Sequence, residues 1–511
     1  MAVAVQPGAS SNTEIGDKGL KSNAIGYLSN LVIGVASTAP AYSLAATLGF
    51  IVAVKGIGVH APAVLLVSFF PMLLIAYGYK YLNKADPDCG TTFAWATRAL
   101  GPYMGFINGW AIFVADVIVM ASLSVIASTY TYELFNWRGG ANSKAWVLVG
   151  SVVWIALMTW ICYRGIELSA RIQQGLLAAE VLILAAFAIV ALYKVYANNP
   201  AHSLHVSAGW FNPFAVGIGP LADGLLLGLF IYWGWDSGVS VNEETESSAD
   251  APGKAAVVST LILVGIYLVV SAATQAYAGT GFLVTNQDDV LSALGKQVFG
   301  SPWDKLLIVA VLTSASASTQ TTILPTARTT LSMARWKAIP PIIGRIHPRY
   351  LTPSVSTLGM GALSMVWTVG LVGFGSINGT LADSITALGF SILFYYGFTG
   401  LVCAVYYRRQ LTTTWRRFVM VGVIPLVGCI VMFAVFVKAF YDYQFNSADS
   451  GYSAPLFGIQ VPIVIGIGGL LLGLPIMALC ALKYRDFFSR RLEVAPEGIL
   501  DVPAEHVATH F

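Results

Sequence analysis

Apolar stretches of about 20 residues recur from residue 24 to residue 482, separated by short polar gaps, and this spacing limits what the chain can become. A helix rises about 1.5 Å per residue, so about 20 residues cross a hydrocarbon core of about 30 Å. In lipid the backbone of each span has to pair its own polar groups. The pattern predicts an all-α integral membrane protein. Twelve transmembrane helices are expected, at 24–54 (interrupted by a break), 61–82, 101–132, 145–163, 168–193, 220–241, 255–277, 303–333, 355–374, 381–406, 418–440 and 456–482. Only 10% of the 511 residues are charged and 56% are hydrophobic, whereas soluble domains carry about 25% charge. The polar segment 1–23 has few positive charges and no small-residue cleavage site before the first span. It reads as a retained, disordered tail rather than a signal peptide, and 483–511 forms a second tail.

Lysine and arginine favour the cytoplasmic side of a membrane. With the N-terminus inside, all of the 28 basic residues except Lys55, Arg138, Lys144, Lys194, Lys296, Lys305 and Lys438 fall on that side. Shifting the frame by one span inverts the bias, so both termini are expected in the cytoplasm. The short loops suggest a plasma membrane. A net charge of +3 does not imply nucleic acid. Cys89 falls in an inner loop and Cys162, Cys403, Cys429 and Cys480 in spans, so disulfides are not expected. The six histidines, including His506 and His510, lie in loops and tail without metal-ligand spacing. No nucleotide or nucleophile motif is present, and neither an enzyme nor a cofactor is expected. No feature defines an oligomeric state.

An ionisable group near the middle of a span is costly and is a functional candidate by default. Asp116 falls midway along the third span, Glu180 midway along the fifth, and Asp236 in the sixth, within Tyr232-Trp233-Gly234-Trp235-Asp236. Each acid either serves function or is paired for structural reasons. The first span contains Gly34 through Ser43, where Pro40 and small neighbours predict a kink or an unwound turn. Paired irregular segments in two halves of a transporter point to a midplane binding site, though a single kink equally serves packing. Phe230, Tyr232, Trp233 and Trp235 act either as lids over a cationic or zwitterionic substrate or as core. The run 313–322, including Ser318 and Thr319, offers hydroxyls to a neighbouring helix, water or an ion, or simply packs helices closely. Glu243, Glu244, Glu246 and Asp250 read as a solvated inner loop, with pairing to the basic loop after the eighth span as the alternative.

The stretch Pro87-Asp88-Cys89-Gly90-Thr91-Thr92-Phe93-Ala94-Trp95, continuing to Gly101-Pro102 and Trp110, resembles the loop and third-helix start of the amino acid/polyamine/organocation permeases. Gly165-Ile166-Glu167-Leu168-Ser169-Ala170-Arg171, the segment from Trp233 to Glu244, and the segment from Arg328 to Pro353 resemble that family in the same order. The resemblance covers roughly residues 20–485. It implies a leucine-transporter-like fold in which about 24–195 and 215–410 form inverted repeats of five helices, 416–482 adds two helices, and access alternates around broken helices 1 and 6. It also implies a substrate held between those breaks. Ser37, Thr38, Ala39, Pro40, Ala41 and Tyr42 correspond to the turn that receives a substrate carboxylate, Asp116 to a polar substrate-site position, Phe230 to an aromatic gate, and the carbonyls around Trp233 and Gly234 to the amine site.

Two departures matter. Pro40-Ala41-Tyr42 stands where the family usually has Gly-Ser-Gly, which removes a donor amide, adds bulk and brings carboxylate-free substrates into consideration. Glu180 stands where many relatives have lysine, so their coupling mechanism is not carried over. The expected function is secondary active transport of an amino acid or organic amine, with proton symport, Asp116 as counter-charge to the amine and Glu180 as proton site. Alternatives are a sodium site built from Glu180, Ser318, Thr319 and first-span carbonyls, an amine exchanger, and a non-transporting sensor, against which the short tails argue.

Overall fold

A computed structural model of the chain describes residues 16–287, 289–445 and 455–490. The tail expectations for 1–15 and 491–511, with His506 and His510, lie outside the described residues. The first expected span is two helices, α1 (Tyr27–Ser37) and α2 (Pro40–Ala53). Between them Ala39 takes a left-handed conformation, φ +47°, and Pro40 opens α2 at a position where its missing N–H costs no helical bond. There follow α3 (Ala61–Ala85), α4 (Thr92–Leu100), α5 (Pro102–Leu134), α6 (Lys144–Tyr163) and α7 (Ile166–Asn198). The sixth expected span is α8 (Ile218–Ile231) and the single turn α9 (Ser237–Ser240). After it come α10 (Ala251–Thr285), kinked at Gly279, and α11 (Val290–Phe299). The chain then forms α12 (Lys305–Arg335), α13 (Ser354–Phe374), α14 (Ile377–Tyr406), α15 (Trp415–Phe445) and α16 (Val461–Lys483).

Among the described residues, eleven helices or helix pairs are long and apolar enough to cross a membrane, and the two pieces of the sixth expected span are each too short to cross alone. Burial separates interior from periphery. The apolar window of α5 is 94% buried and that of α16 only 22%, so α5 is a central strut and α16 turns most of its surface outward. Exposed Leu182, Ile189, Val366 and Leu479 belong to such outward faces, which suit lipid rather than water. Helix α5 packs along α12 and α14, α3 along α10, and α12 along α7, while the broken pair α1 and α2 sits among α7, α8, α9, α10 and α12.

Three expectations change at one end of the bundle. The chain is ordered from Gly16, not disordered through residue 23. Leu20 is buried, and Lys18 Nζ sits 2.7 Å from Asp88 Oδ1 and 2.6 Å from Glu243 Oε1. Two acids at the membrane edge hold the tail in place because an ammonium satisfies both. Burial alone would lower the Lys18 pKa, but Asp88, Cys89 and Glu243 hold it well above the usual lysine range. Burial likewise opposes charge on Asp88, and Lys18 nonetheless keeps that carboxyl below its usual value. Ligand atoms of Asp88, Cys89 and Glu243 come within 4.8 Å of one another, and the cation at this cluster is the Lys18 ammonium.

The acidic segment after α9 is solvated only in part: Glu246 is exposed, whereas Glu243 and Glu244 pair with basic groups. Glu244 is buried and accepts from Arg328 Nε at 2.8 Å and Nη2 at 3.0 Å. Arg328 lies inside α12 with no exposed surface. A guanidinium and a carboxylate, both desolvated, have to find each other. The loop before α5 also folds, as α4, whose Arg98 binds Asp86 at 2.7 Å. Removing one member of a buried pair leaves the other uncompensated, at a cost of about 3–5 kcal/mol. Arg328→Met should therefore lower the thermal unfolding midpoint of the detergent-purified protein markedly, and adding Glu244→Gln should restore most of the loss.

Candidate functional site

A helix that starts inside a membrane exposes first-turn amides to a medium without water, and each has to be satisfied by protein. At the start of α2 the accounting is complete. The amides of Thr38, Ala39 and Ser43 donate to the carbonyls of Val35, Ala36 and Ala39. Pro40 has no N–H. Ala41 N donates to Glu180 Oε1 at 2.7 Å, and Tyr42 N to Ser314 Oγ at 3.1 Å. Two side chains from α7 and α12 thus cap a helix that does not cap itself. The carbonyls released by the end of α1 are also used: Ser318 Oγ donates to Ser37 O at 2.8 Å, and Ser43 Oγ to Thr38 O at 2.7 Å.

The second break faces the first. Gly234 has φ +115°, and a Cβ placed there would lie 2.8 Å from Ser37 O. Only glycine allows the two chains this approach. Ser37 Oγ and Ser237 Oγ are 2.7 Å apart, which joins the breaks directly. Tyr267 donates to the freed Ile231 carbonyl at 2.6 Å. Asp236 is buried among tyrosines, accepting from Tyr396 at 2.8 Å, Tyr395 at 3.2 Å and Tyr79 at 3.5 Å. Tyr395 in turn accepts from Trp233 Nε1 at 2.5 Å.

Between the breaks lies a cavity of about 10 Å³, lined by Ser37, Thr38, Ala39, Tyr42, Ser43, Val119, Leu123, Phe230, Trp233 and Ser318. That volume accommodates about one water, and the residues that line it are buried, so the site as it stands has no room for an amino acid. Of the residues singled out from sequence, Ser37, Thr38, Ala39, Tyr42, Phe230, Trp233 and Ser318 line it. Pro40, Ala41 and Gly234 form its frame, Ala41 by turning its amide to Glu180.

The other candidates stand further off. Tyr232 packs on Phe69 and Tyr267, and Trp235 on Tyr79 and Tyr396. Asp116 is buried on α5, one turn before the lining residue Val119, and accepts from Thr326 Oγ1 at 2.5 Å. Thr319 donates to Ala315 O of its own helix. Sequence reasoning missed Ser43, Val119, Leu123, Ser314 and the three tyrosines on Asp236. Val119 and Leu123 follow Asp116 by three and seven residues on one helical face, and Ser314 lies one turn before Ser318 in a run already singled out; both signals were readable. Nothing near Tyr395 and Tyr396 in sequence ties them to Asp236.

A sequence profile described as amino acid permease matches residues 25–467. The chain belongs to the amino acid permease family. An uncharacterized transporter of Mycobacterium tuberculosis is 24% identical over 445 residues, covering 85% of this chain and 91% of that protein. A low-affinity putrescine importer of Escherichia coli K12 is 20% identical over 382 residues, covering 74% of this permease and 81% of the importer. Among solved structures, a manganese transporter of Eremococcus coleocola, in complex with an aromatic bis-isothiourea compound, aligns with a TM-score of 0.53 at 13% identity. The match covers 90% of this permease and 95% of that chain, and it shows a shared fold.

The contact between the breaks is directly testable. Gly234→Ala forces a left-handed alanine, at about 1–3 kcal/mol, and drives its methyl into Ser37. Substrate uptake by cells should be lost while the protein still reaches the membrane. Gly175→Ala, with nothing within 4 Å of the added carbon, should leave uptake unchanged.

Proposed function

We propose that this permease is a proton-coupled secondary transporter that carries an amino acid or a related organic amine by alternating access. One observation carries the reading: two helix breaks meet at one small buried cavity in the interior, and a carboxylate, Glu180, accepts from a freed amide, that of Ala41, at one of them. A buried cavity between two half-helices has to open to one side at a time for a solute to pass. Ser37, Thr38, Ala39, Pro40, Ala41 and Tyr42 would hold the solute from one side. Phe230, Trp233 and Gly234 would hold it from the other, with Tyr232 and Trp235 fixing the shape of the second break. Asp116, one turn from Val119 along α5, would be the counter-charge that an amine meets as the cavity opens. The family and the putrescine importer among the relatives agree with a substrate that carries an amine.

Glu180 is assigned the coupling proton. A protonated carboxyl loses its charge-assisted bond to the Ala41 amide, so proton uptake and the shape of the α1–α2 break are linked through one contact. A sodium site made by Glu180, Ser318 and Thr319 has less support, because the Ser318 and Thr319 hydroxyls donate to Ser37 O and Ala315 O instead of converging on Glu180. The reading includes two five-helix repeats, 24–195 and 215–410, with 416–482 as an addition. It also places tails 1–23 and 483–511 on the cytoplasmic side of a plasma membrane.

Glu180→Gln separates coupling from translocation. Accumulation driven by an imposed pH gradient in liposomes should disappear, while exchange of labelled for unlabelled substrate across the same membrane continues. Undiminished pH-driven accumulation would remove Glu180 from the proton path.

A further inference from the structure

The buried N-terminus of a half-helix beside a transport cavity is the place where an anionic group of a ligand is held, since the first-turn amides and the positive end of the helix dipole both point to it. In this chain α2 offers such a terminus, and Ala39 and Tyr42 of that turn line the cavity. The place is taken. Glu180, with no exposed surface, holds the Ala41 amide, and Ser314 holds the Tyr42 amide. The remaining amides of the turn end on main-chain carbonyls, so no backbone donor there is left for a ligand.

The side chains around the cavity have the same bias. Thr38 Oγ1 donates to Val35 O, Ser43 Oγ to Thr38 O and Ser318 Oγ to Ser37 O. A hydroxyl that spends its hydrogen on a carbonyl presents only lone pairs to a ligand. Tyr42 Oη, beside the Ser122 hydroxyl, is a lining donor that is not committed to a carbonyl. An ammonium therefore finds acceptors and the ring faces of Phe230 and Trp233. A carboxylate finds one phenol and at most the one hydrogen left over in the Ser37–Ser237 hydroxyl pair. The second oxygen of the capping carboxylate, Glu180 Oε2, is buried at the same turn, with the Ser314 hydroxyl beside the carboxylate.

We propose that Glu180 is a tethered carboxylate occupying the subsite where a substrate carboxylate would bind, so that the permease selects organic amines lacking a carboxylate and rejects the matching amino acids. This rests on the transport reading above and narrows its substrate class. Discrimination comes first from the donors a carboxylate needs, which are already paired, and in the ionised state of Glu180 the like charge adds to it.

The test measures equilibrium binding to the full chain, purified in detergent at one fixed pH, for two pairs of probes that differ by one carboxylate: putrescine with ornithine, and agmatine with arginine. With no gradient present, selectivity is read separately from coupling. In the wild-type protein at least one of the amines binds, and its carboxylated partner binds more weakly by about tenfold or more. Glu180→Ala vacates the subsite and moves that ratio toward the amino acid by about tenfold or more. Glu180→Ser serves in its place if the alanine variant does not fold. Equal binding of both members by the wild type overturns the proposal. So does a folded Glu180 variant whose ratio stays within about twofold of wild type. A wild-type protein that binds no amine and no amino acid removes the transport reading itself, and this differs from the other two results, in which binding is present and only the discrimination fails.

Discussion

The amide of Ala41 lies in the interior of a membrane protein, where no water is at hand, and its partner is a carboxylate 139 residues further along the chain. Leaving such a group unpaired costs several kcal/mol. Interrupting a helix at this depth is therefore affordable only where other helices bring donors and acceptors to the gap. Glu180 from α7 and Ser314 from α12 supply acceptors to α2, and Ser318 supplies a donor to the end of α1. The position of α7 and α12 against the broken pair follows from this need. So does the cavity, because the chain that leaves helical geometry at Ala39 and Gly234 is the chain that lines or frames it.

The charged groups at one end of the bundle answer the same constraint by different means. Lys18 ties the N-terminal segment to Asp88 in the loop before α4 and to Glu243 after α9, and Arg328 ties α12 to Glu244. Four segments distant in sequence meet in two ion-paired clusters. These pairs join the four segments, which links the packing of this end of the bundle to its electrostatics. Because Asp88 is held below its usual pKa and Lys18 above its own, the two have opposite pH dependence: the Asp88 contribution is lost only as pH falls through the lowered value, and the Lys18 contribution only as pH rises through the raised one. The clamp therefore persists across the neutral range.

What was legible in the sequence is what depends on local pattern. Apolar runs of membrane length located the spans. Pro40 among small residues marked the first break, and Gly234 among aromatic residues marked the second. Glu180 and Asp236 stood out because acids are rare in such runs. What was not legible depends on partners far apart in sequence. Lys18 looked like part of a free tail because Glu243 is 225 residues away, and Glu244 looked solvated because Arg328 is 84 residues away. Glu180 was recognisable as an intramembrane acid, but not as a helix cap, since nothing in α7 specifies which amide it meets. Asp116 stood out in the same way, but its partner, Thr326, is 210 residues away and sequence does not specify it.

The most direct test is uptake of radiolabelled amines and amino acids by the purified protein in liposomes, under an imposed proton gradient, then a sodium gradient, then neither. The account predicts accumulation with the proton gradient alone. Accumulation that requires sodium and ignores the proton gradient would contradict it, as would the absence of accumulation under every gradient.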